Sequence, residues 1–343
     1  MKKVHIIAEM AWGHDGSLTQ AIEIMKAAKN SGADSISIHI TNLEETMVKH
    51  YGSGKGKVSS GREEYNIFKY LEKINLNYKD WVIFNDERKK TDIELVVMPN
   101  DLSSLNFAEE KLNPDYYVVS AACFVEEDFL KEIAKKNRPT IFRIGGAYLG
   151  EIEKAILIFK EYSNDNIILL HGFQNYPTDL RETNLSQLKT LKDVFGCEIG
   201  LADHLDGGSD FAKILPILAL PYGATYIEKH ITLDRDSKSE DFESALNPKD
   251  FKEMVEFLRA SEIAIGDKHF KGLSEAATNY RNISRKKIVA KTDIKKGEVI
   301  TKDKITLKRA DIGLEADKIY LVLNRIVKQD ILEDEEIILE KLI

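Results

Sequence analysis

The sequence predicts an α/β protein: a (β/α)8 TIM barrel followed by a small β-rich domain. Three observations predict it. Eight short apolar runs recur between residues 4 and 232, stretches of helical period separate them, and the alternation stops after about Gly266. Strands alternating with helices imply βαβ units and a parallel sheet. Eight units in roughly 250 residues are what a closed barrel needs. An open doubly wound sheet also alternates, but strand count and total length favour closure.

The apolar runs are residues 4–10, 35–40, 94–99, 116–121, 140–145, 167–172, 198–204 and 226–232. Amphipathic stretches lie between them at 18–31, 126–136, 151–162, 185–195 and 211–222. Ser31-Gly32-Ala33-Asp34 and Tyr222-Gly223-Ala224-Thr225 punctuate two of the junctions. In each, a glycine suits the left-handed residue that closes a helix, and a strand follows at once. Residues 267–284 read as a linker with one helical turn. Short β-type runs follow at 287–290, 293–299, 305–308, 319–326 and 336–342, with Lys295-Lys296-Gly297-Glu298 as a clear turn. The domains expected are a barrel over 1–266, a linker over 267–284 and a small β domain over 285–343.

Composition narrows the function classes. The 43% hydrophobic content supplies a sizeable core, and the formal net charge of -8 argues against nucleic acid as a partner. Two cysteines, Cys123 and Cys197, are too few for a disulfide framework and suit a reducing compartment. His5 and Glu9 interrupt the apolar run after Met1-Lys2-Lys3, unlike a signal peptide. No stretch approaches the ~20 apolar residues of a membrane span. A cytoplasmic protein without membrane partners is expected.

In such a barrel the reactive groups cluster at the C-terminal strand ends. His14, His39, His171, His204 and His230 all fall at such ends. A lone histidine is more often a hydrogen-bonded structural residue than a ligand. His204 and His230, however, end adjacent strands, and two imidazoles with open positions can hold a divalent cation that also binds substrate oxygen. Period-two alternation puts Glu228 on the face of His230 and Lys229 on the other. His39 is a third nitrogen ligand or a substrate contact. Glu9 ends the first run and reads as a base or a holder of metal-bound water, with an ion pair to a nearby Lys or Arg as the equal alternative. Glu240 and Asp241 lie in a polar loop after the eighth run. Tyr176-Pro177-Thr178 forms a rigid loop that offers a phenol to a ligand.

These residues resemble the sialic acid synthase family, which includes N-acetylneuraminate, legionaminate and pseudaminate synthases. Ile7-Ala8-Glu9 with His14-Asp15-Gly16 is similar to the family's first strand and loop, and Gly32-Ala33-Asp34 to the entry into its second. His171, Tyr176-Pro177-Thr178 and Asn184-Leu185 resemble the sixth strand and its sequel. Asp203-His204, Ile227-Glu228-Lys229-His230 and Leu233-Asp234 resemble the metal-ligand segments. Ser274-Glu275, Arg285 and the run Asp293-Ile294-Lys295-Lys296-Gly297-Glu298-Val299-Ile300 resemble the antifreeze-like (SAF) domain.

The resemblance implies a manganese- or magnesium-dependent enzyme that joins phosphoenolpyruvate to an N-acylated amino sugar. It implies His204 and His230 as metal ligands, with Glu9 beside the reacting groups. It implies Ser120, Gln174, Tyr176 and Asp241 around the substrates. It also implies a domain-swapped homodimer in which Arg309 reaches a partner's sugar site.

The donor site departs from the family pattern. Ser37 and His39 stand where Lys and Gln are usual, Tyr117 where Lys is usual, and Ala122 replaces an acid. Met98, Arg143, Gln174 and Ala202 replace Thr, Ser, Asn and Ser, and Gly13-His14 stands for Asn-His. Each lost lysine removes a charged hydrogen bond of about 1.5–3 kcal/mol to a compact trianion. Arg143 and His39 restore part of that, since a guanidinium grips carboxylate or phosphate bidentately. A synthase with a rearranged donor site is the leading reading. The alternatives are the same barrel and metal with a non-phosphorylated keto acid donor, and a non-catalytic sugar-binding relative.

Overall fold

The computed structural model describes residues 3–52, 64–175, 177–267 and 269–343. Eight strands close into a parallel barrel: β1 (His5–Ala11), β2 (Ser35–Ile40), β3 (Glu94–Pro99), β4 (Tyr116–Val119), β5 (Thr140–Arg143), β6 (Ile167–His171), β7 (Glu198–Asp203) and β8 (Tyr226–His230). The closing pair, β1 with β8, runs from His5 opposite Tyr226 to Glu9 opposite His230. Both faces of each strand are covered, so the strands read as near-continuous apolar runs rather than as alternating ones.

Alternation still divides the side chains. Ile7, Val96, Met98, Val118, Ile141, Ile168, Leu170, Ala202 and Tyr226 form an apolar plug. The opposite faces, among them Ile6, Ala8, Ile36, Ile38, Val97, Phe142, Leu169 and Ile227, belong to a second cluster shared with the helices. The barrel is thus a packed core, and buried polar side chains occur where its strands end.

The helices are α1 (Leu18–Asn30), α2 (Leu43–Thr46), α3 (Ile67–Ile74), α4 (Tyr78–Lys89), α5 (Leu102–Phe107), α6 (Glu127–Lys135), α7 (Leu149–Glu161), α8 (Gln187–Phe195), α9 (Leu215–Leu218), α10 (Pro248–Ile265) and α11 (Glu275–Ser284). Side-chain caps fix several starts. Ser17 accepts from the Gln20 amide, Asn66 from that of Lys69, and Asn77 from those of Lys79 and Asp80.

The stretch 211–222 is not one helix. It breaks into a 3-10 turn over Asp210–Lys213, α9, and a second 3-10 turn over Leu220–Tyr222. Pro216 and Pro221 each lack an amide hydrogen, and their rings obstruct the carbonyl one turn back, so both can only open short pieces.

The chain divides into two compact units, Met1–Asp267 and Lys268–Ile343. The second unit corrects part of the sequence reading. Instead of a linker with a single turn it holds α11, ten residues long and capped by Ser274 on the Ala277 amide. None of its residues is buried, so it lacked the apolar stripe by which helices are recognised. Among its described residues only β9 (Lys287–Ala290) and β10 (Ile305–Lys308) pair as a ladder. Residues 293–299 and 336–342 contribute isolated bridges, and the 319–326 run begins within a 3-10 helix over Ala316–Leu321. The unit has its own core of Ile288, Ala290, Ile294, Ile300, Ile305, Val322, Val327, Ile331, Ile337 and Leu342.

Candidate active site at the barrel mouth

Glu9 is placed by a break in regular pairing. The β1–β2 register shifts between Glu9 and Ala11, and Ala11 takes φ 45°. Such a bulge re-aims a side chain at a barrel rim. Here it lets Glu9 Oε1 accept the Ala11 amide at 2.7 Å. Glu9 is wholly buried, with His39 Nε2 3.4 Å from Oε1. The ring of Trp12 stands edge-on to that of His39, centroids 5.3 Å apart.

Arg143 ends β5, four strands around the ring from β1. Its side chain crosses the interior, ion-paired with Glu9 and with Glu228 Oε2, the latter at 2.9 Å. Burial opposes ionisation of Glu9, but Arg143 and then His39 more than offset it and hold the carboxyl well below its usual range. In Glu228 burial wins against Arg143 and pushes the carboxyl up to about 7. One guanidinium therefore serves two carboxylates, only one of which is held firmly ionised.

His204 follows β7 and His230 ends β8, with ring centroids 5.1 Å apart. Burial lowers both imidazoles, His204 well below its usual value with His230 and Arg143 adding to the effect, and His230 to about 3 although Glu9 opposes it. Both are thus neutral, the form that ligates metals. The Nε2 atoms of His204 and His230 are buried and have no hydrogen-bond partner in the chain. Among the described residues no group of three or more His, Cys, Asp and Glu is arranged to hold a metal. Two unpartnered neutral imidazoles nevertheless fit a divalent ion whose remaining positions belong to water and substrate.

The loop after β8 carries Asp241 in a left-handed conformation, φ 65°. Gln174 Nε2 donates to Asp241 Oδ1. Burial, with Glu240 beside it, raises the Asp241 carboxyl well above the usual range. Glu240 receives the Tyr70 hydroxyl at 2.6 Å, and its amide donates to Asp15 at 3.2 Å.

The residues expected from sequence fall into groups. Glu9, His39, Arg143, Glu228, His204 and His230 share the mouth. Ser120 lies directly after β4 and Ser37 within β2; both are buried with unpartnered hydroxyls. Arg143 is already engaged by Glu9 and Glu228, so the ion-pair alternative for Glu9 is present in the structure. His14 and His171 have structural partners: the first accepts the Gly16 amide at 3.1 Å, the second lies 2.9 Å from the Thr183 carbonyl. Tyr117 does not face the interior. Its hydroxyl donates to Glu109 at 2.8 Å, while Tyr116 and Val118 take the inner face. Tyr176 lies outside the described residues. Arg309 is exposed and belongs to the second unit. The edge-on Trp12 was not singled out from sequence, where only its place in the loop after the first run was visible.

A model of the NeuB family matches residues 24–270, and a model of the SAF domain matches residues 285–342. The chain is 31% identical over 337 residues to the N,N'-diacetyllegionaminic acid synthase of Campylobacter jejuni, covering 98% of this chain and 99% of that protein. It is 31% identical over 331 residues to a pseudaminic acid synthase of the same species, covering 96% and 94%. Among solved structures, the N-acetylneuraminic acid synthetase of Leptospira borgpetersenii matches with a TM-score of 0.69 at 27% identity, covering 82% of this chain and 92% of that one.

Proposed function

The chain belongs to the NeuB family, and on that premise we propose that it joins phosphoenolpyruvate to the aldehyde of an N-acylated amino sugar, giving a nonulosonic acid. Membership of a family of synthases makes it an enzyme and sets aside the non-catalytic alternative. The observation that carries the reading is the pair of neutral, unpartnered imidazoles, His204 and His230, 5.1 Å apart beside the ionised Glu9.

His204 and His230 would hold manganese or magnesium, which when bound polarises the aldehyde oxygen of the sugar. Carbon 3 of the donor then bonds to the aldehyde carbon, whose oxygen takes up a proton. Water adds to donor carbon 2 as the bond from carbon 2 to the phosphate oxygen breaks and phosphate leaves. Glu9, held ionised by Arg143 and His39, accepts one proton of this water and returns it to the former aldehyde oxygen, while the water's other proton leaves with the phosphate as carbon 2 becomes a carbonyl. Asp241, oriented by Gln174, and Tyr176 bind sugar hydroxyls. Ser120 and His39 offer hydrogen bonds to the donor.

One observation favours a second donor. Arg143 is the only Lys or Arg on the inward strand faces among the described residues, and two carboxylates share it. A trianion meets little free positive charge there. A keto acid without phosphate, adding to the same aldehyde, requires only a carboxylate anchor.

The reading includes a domain-swapped homodimer in which Arg309 reaches a partner's sugar site. Phe270, Tyr280 and Ile283 are 86%, 73% and 74% exposed, an apolar surface of the kind that association covers. It also includes a cytoplasmic location. Among the described residues no helix is long and apolar enough to cross a membrane, and both cysteines are free.

The test mixes the protein with Mn2+ and a panel of N-acylated amino sugars, in one arm with phosphoenolpyruvate and in a parallel arm with pyruvate. Release of inorganic phosphate together with a product whose mass is that of donor, sugar and one water, less phosphoric acid, is the expected result. Consumption of pyruvate with no phosphate release from phosphoenolpyruvate assigns the second donor instead. Consumption of neither sinks both.

A further inference from the structure

Lys229, in β8, is fully buried, and alternation along the strand puts it on the face opposite Glu228 and His230. Its ammonium lies 2.9 Å from Asp203 Oδ2 and 3.1 Å from the carbonyl of Leu205, so it grips the chain on both sides of His204. Asp203 completes the ring by accepting the Leu205 amide on Oδ1 at 2.8 Å. Both charged side chains are at most 1% exposed. Lys229 also directly precedes His230, and β7 and β8 are paired with Asp203 opposite Lys229. One buried ion pair thus ties together the two strand ends that carry the imidazoles.

Stability alone does not account for this arrangement. Taking two opposite charges out of water costs about as much as their attraction returns, and a well-packed apolar pair does as well or better. What the pair supplies is a fixed backbone from 203 to 205 and a fixed spacing between β7 and β8. The carbonyl of His204 is held independently by the Thr178 amide at 3.0 Å and the Ser244 hydroxyl at 2.8 Å. Without the Lys229 side chain the segment keeps those anchors and the ladder pairing at Asp203, but loses the side-chain tie from β8 to the Leu205 carbonyl beyond the end of the ladder.

We propose that Lys229 and Asp203 are positioning residues that set the separation and orientation of His204 and His230, and through them the affinity of the mouth for a divalent ion. This rests on the reading of His204 and His230 as metal ligands.

The test is the double variant Lys229→Met, Asp203→Asn in the full chain, which removes both charges and keeps an acceptor for the Leu205 amide. Two readouts are taken: Mn2+ binding by calorimetry, and a crystal structure of the metal-free protein. Expected are a melting temperature close to the parent's, a Mn2+ dissociation constant weakened roughly ten- to a hundred-fold, and His204 and His230 rings displaced or in several rotamers. Parent-like Mn2+ affinity in the double variant overturns the proposal. If the parent itself binds no Mn2+, the metal reading fails separately, and the crystal structure decides: rings superimposing on the parent's overturn the positioning role, displaced rings support it. Should the double variant fail to fold, Lys229→Arg is examined by the same two readouts. It keeps the charge but not the compact ammonium, and parent-like values for both overturn the proposal.

Discussion

At the rim of the barrel Arg143, its side chain 13% exposed, lies between the fully buried Glu9 and Glu228. Removing one partner of a buried ion cluster leaves charge without compensation and costs about 3–5 kcal/mol, whereas removing charges in balance costs far less. Arg143→Met should therefore destabilise the barrel by roughly that amount in urea unfolding, with part of the loss recovered when Glu228→Gln is added. A single variant within about 1 kcal/mol of the parent would show that Glu9 and Glu228 find other partners. Sequence placed Arg143 at the end of a strand and offered it as an anion anchor. It also gave an ion pair to Lys or Arg as the alternative for Glu9. Only the closed ring joins the two statements, because the partners lie 134 residues apart along the chain.

The strands carried the clearest message in the sequence, since burial on both faces writes short apolar runs recurring between turn residues, although α7 holds a similar run over residues 155–159 and only its length marks it as a helix. Helices were legible where an apolar stripe faces the barrel, as in α1 and α6, and illegible where none does, as in α11. The ends of strands were legible as positions but not as shapes. Gly172, just past β6, takes φ 123°, and a Cβ there would sit 2.2 Å from the Ala202 carbonyl oxygen of the next strand. Gly172→Ala should cost roughly 2–3 kcal/mol through backbone strain and overpacking together, read as a lowered unfolding midpoint with an unchanged slope. A neutral result would mean that β6 and β7 separate readily where they lead into the Gln174 and His204 loops.

For the molecule as a whole, two compact units with separate cores predict separable properties. A chain lacking residues 284–343 should keep its divalent-ion affinity, because His204 and His230 both belong to the first unit. It should bind the amino sugar about tenfold or more weakly, the loss of one charged hydrogen bond from Arg309. Undiminished sugar affinity in that truncation, measured by calorimetry, would exclude Arg309 from the site. By itself the sequence determined the barrel, its strand order, the rim positions of the histidines and the small second domain, because these follow from local periodicity and from residues close along the chain. The tertiary structure alone decided that Arg143 is held by Glu9 and Glu228, that Tyr117 faces outward and that Lys229 bridges to Asp203. Charges buried in a low-dielectric interior must be matched by whatever partner the closed ring brings across from another strand, and no local pattern records that distance.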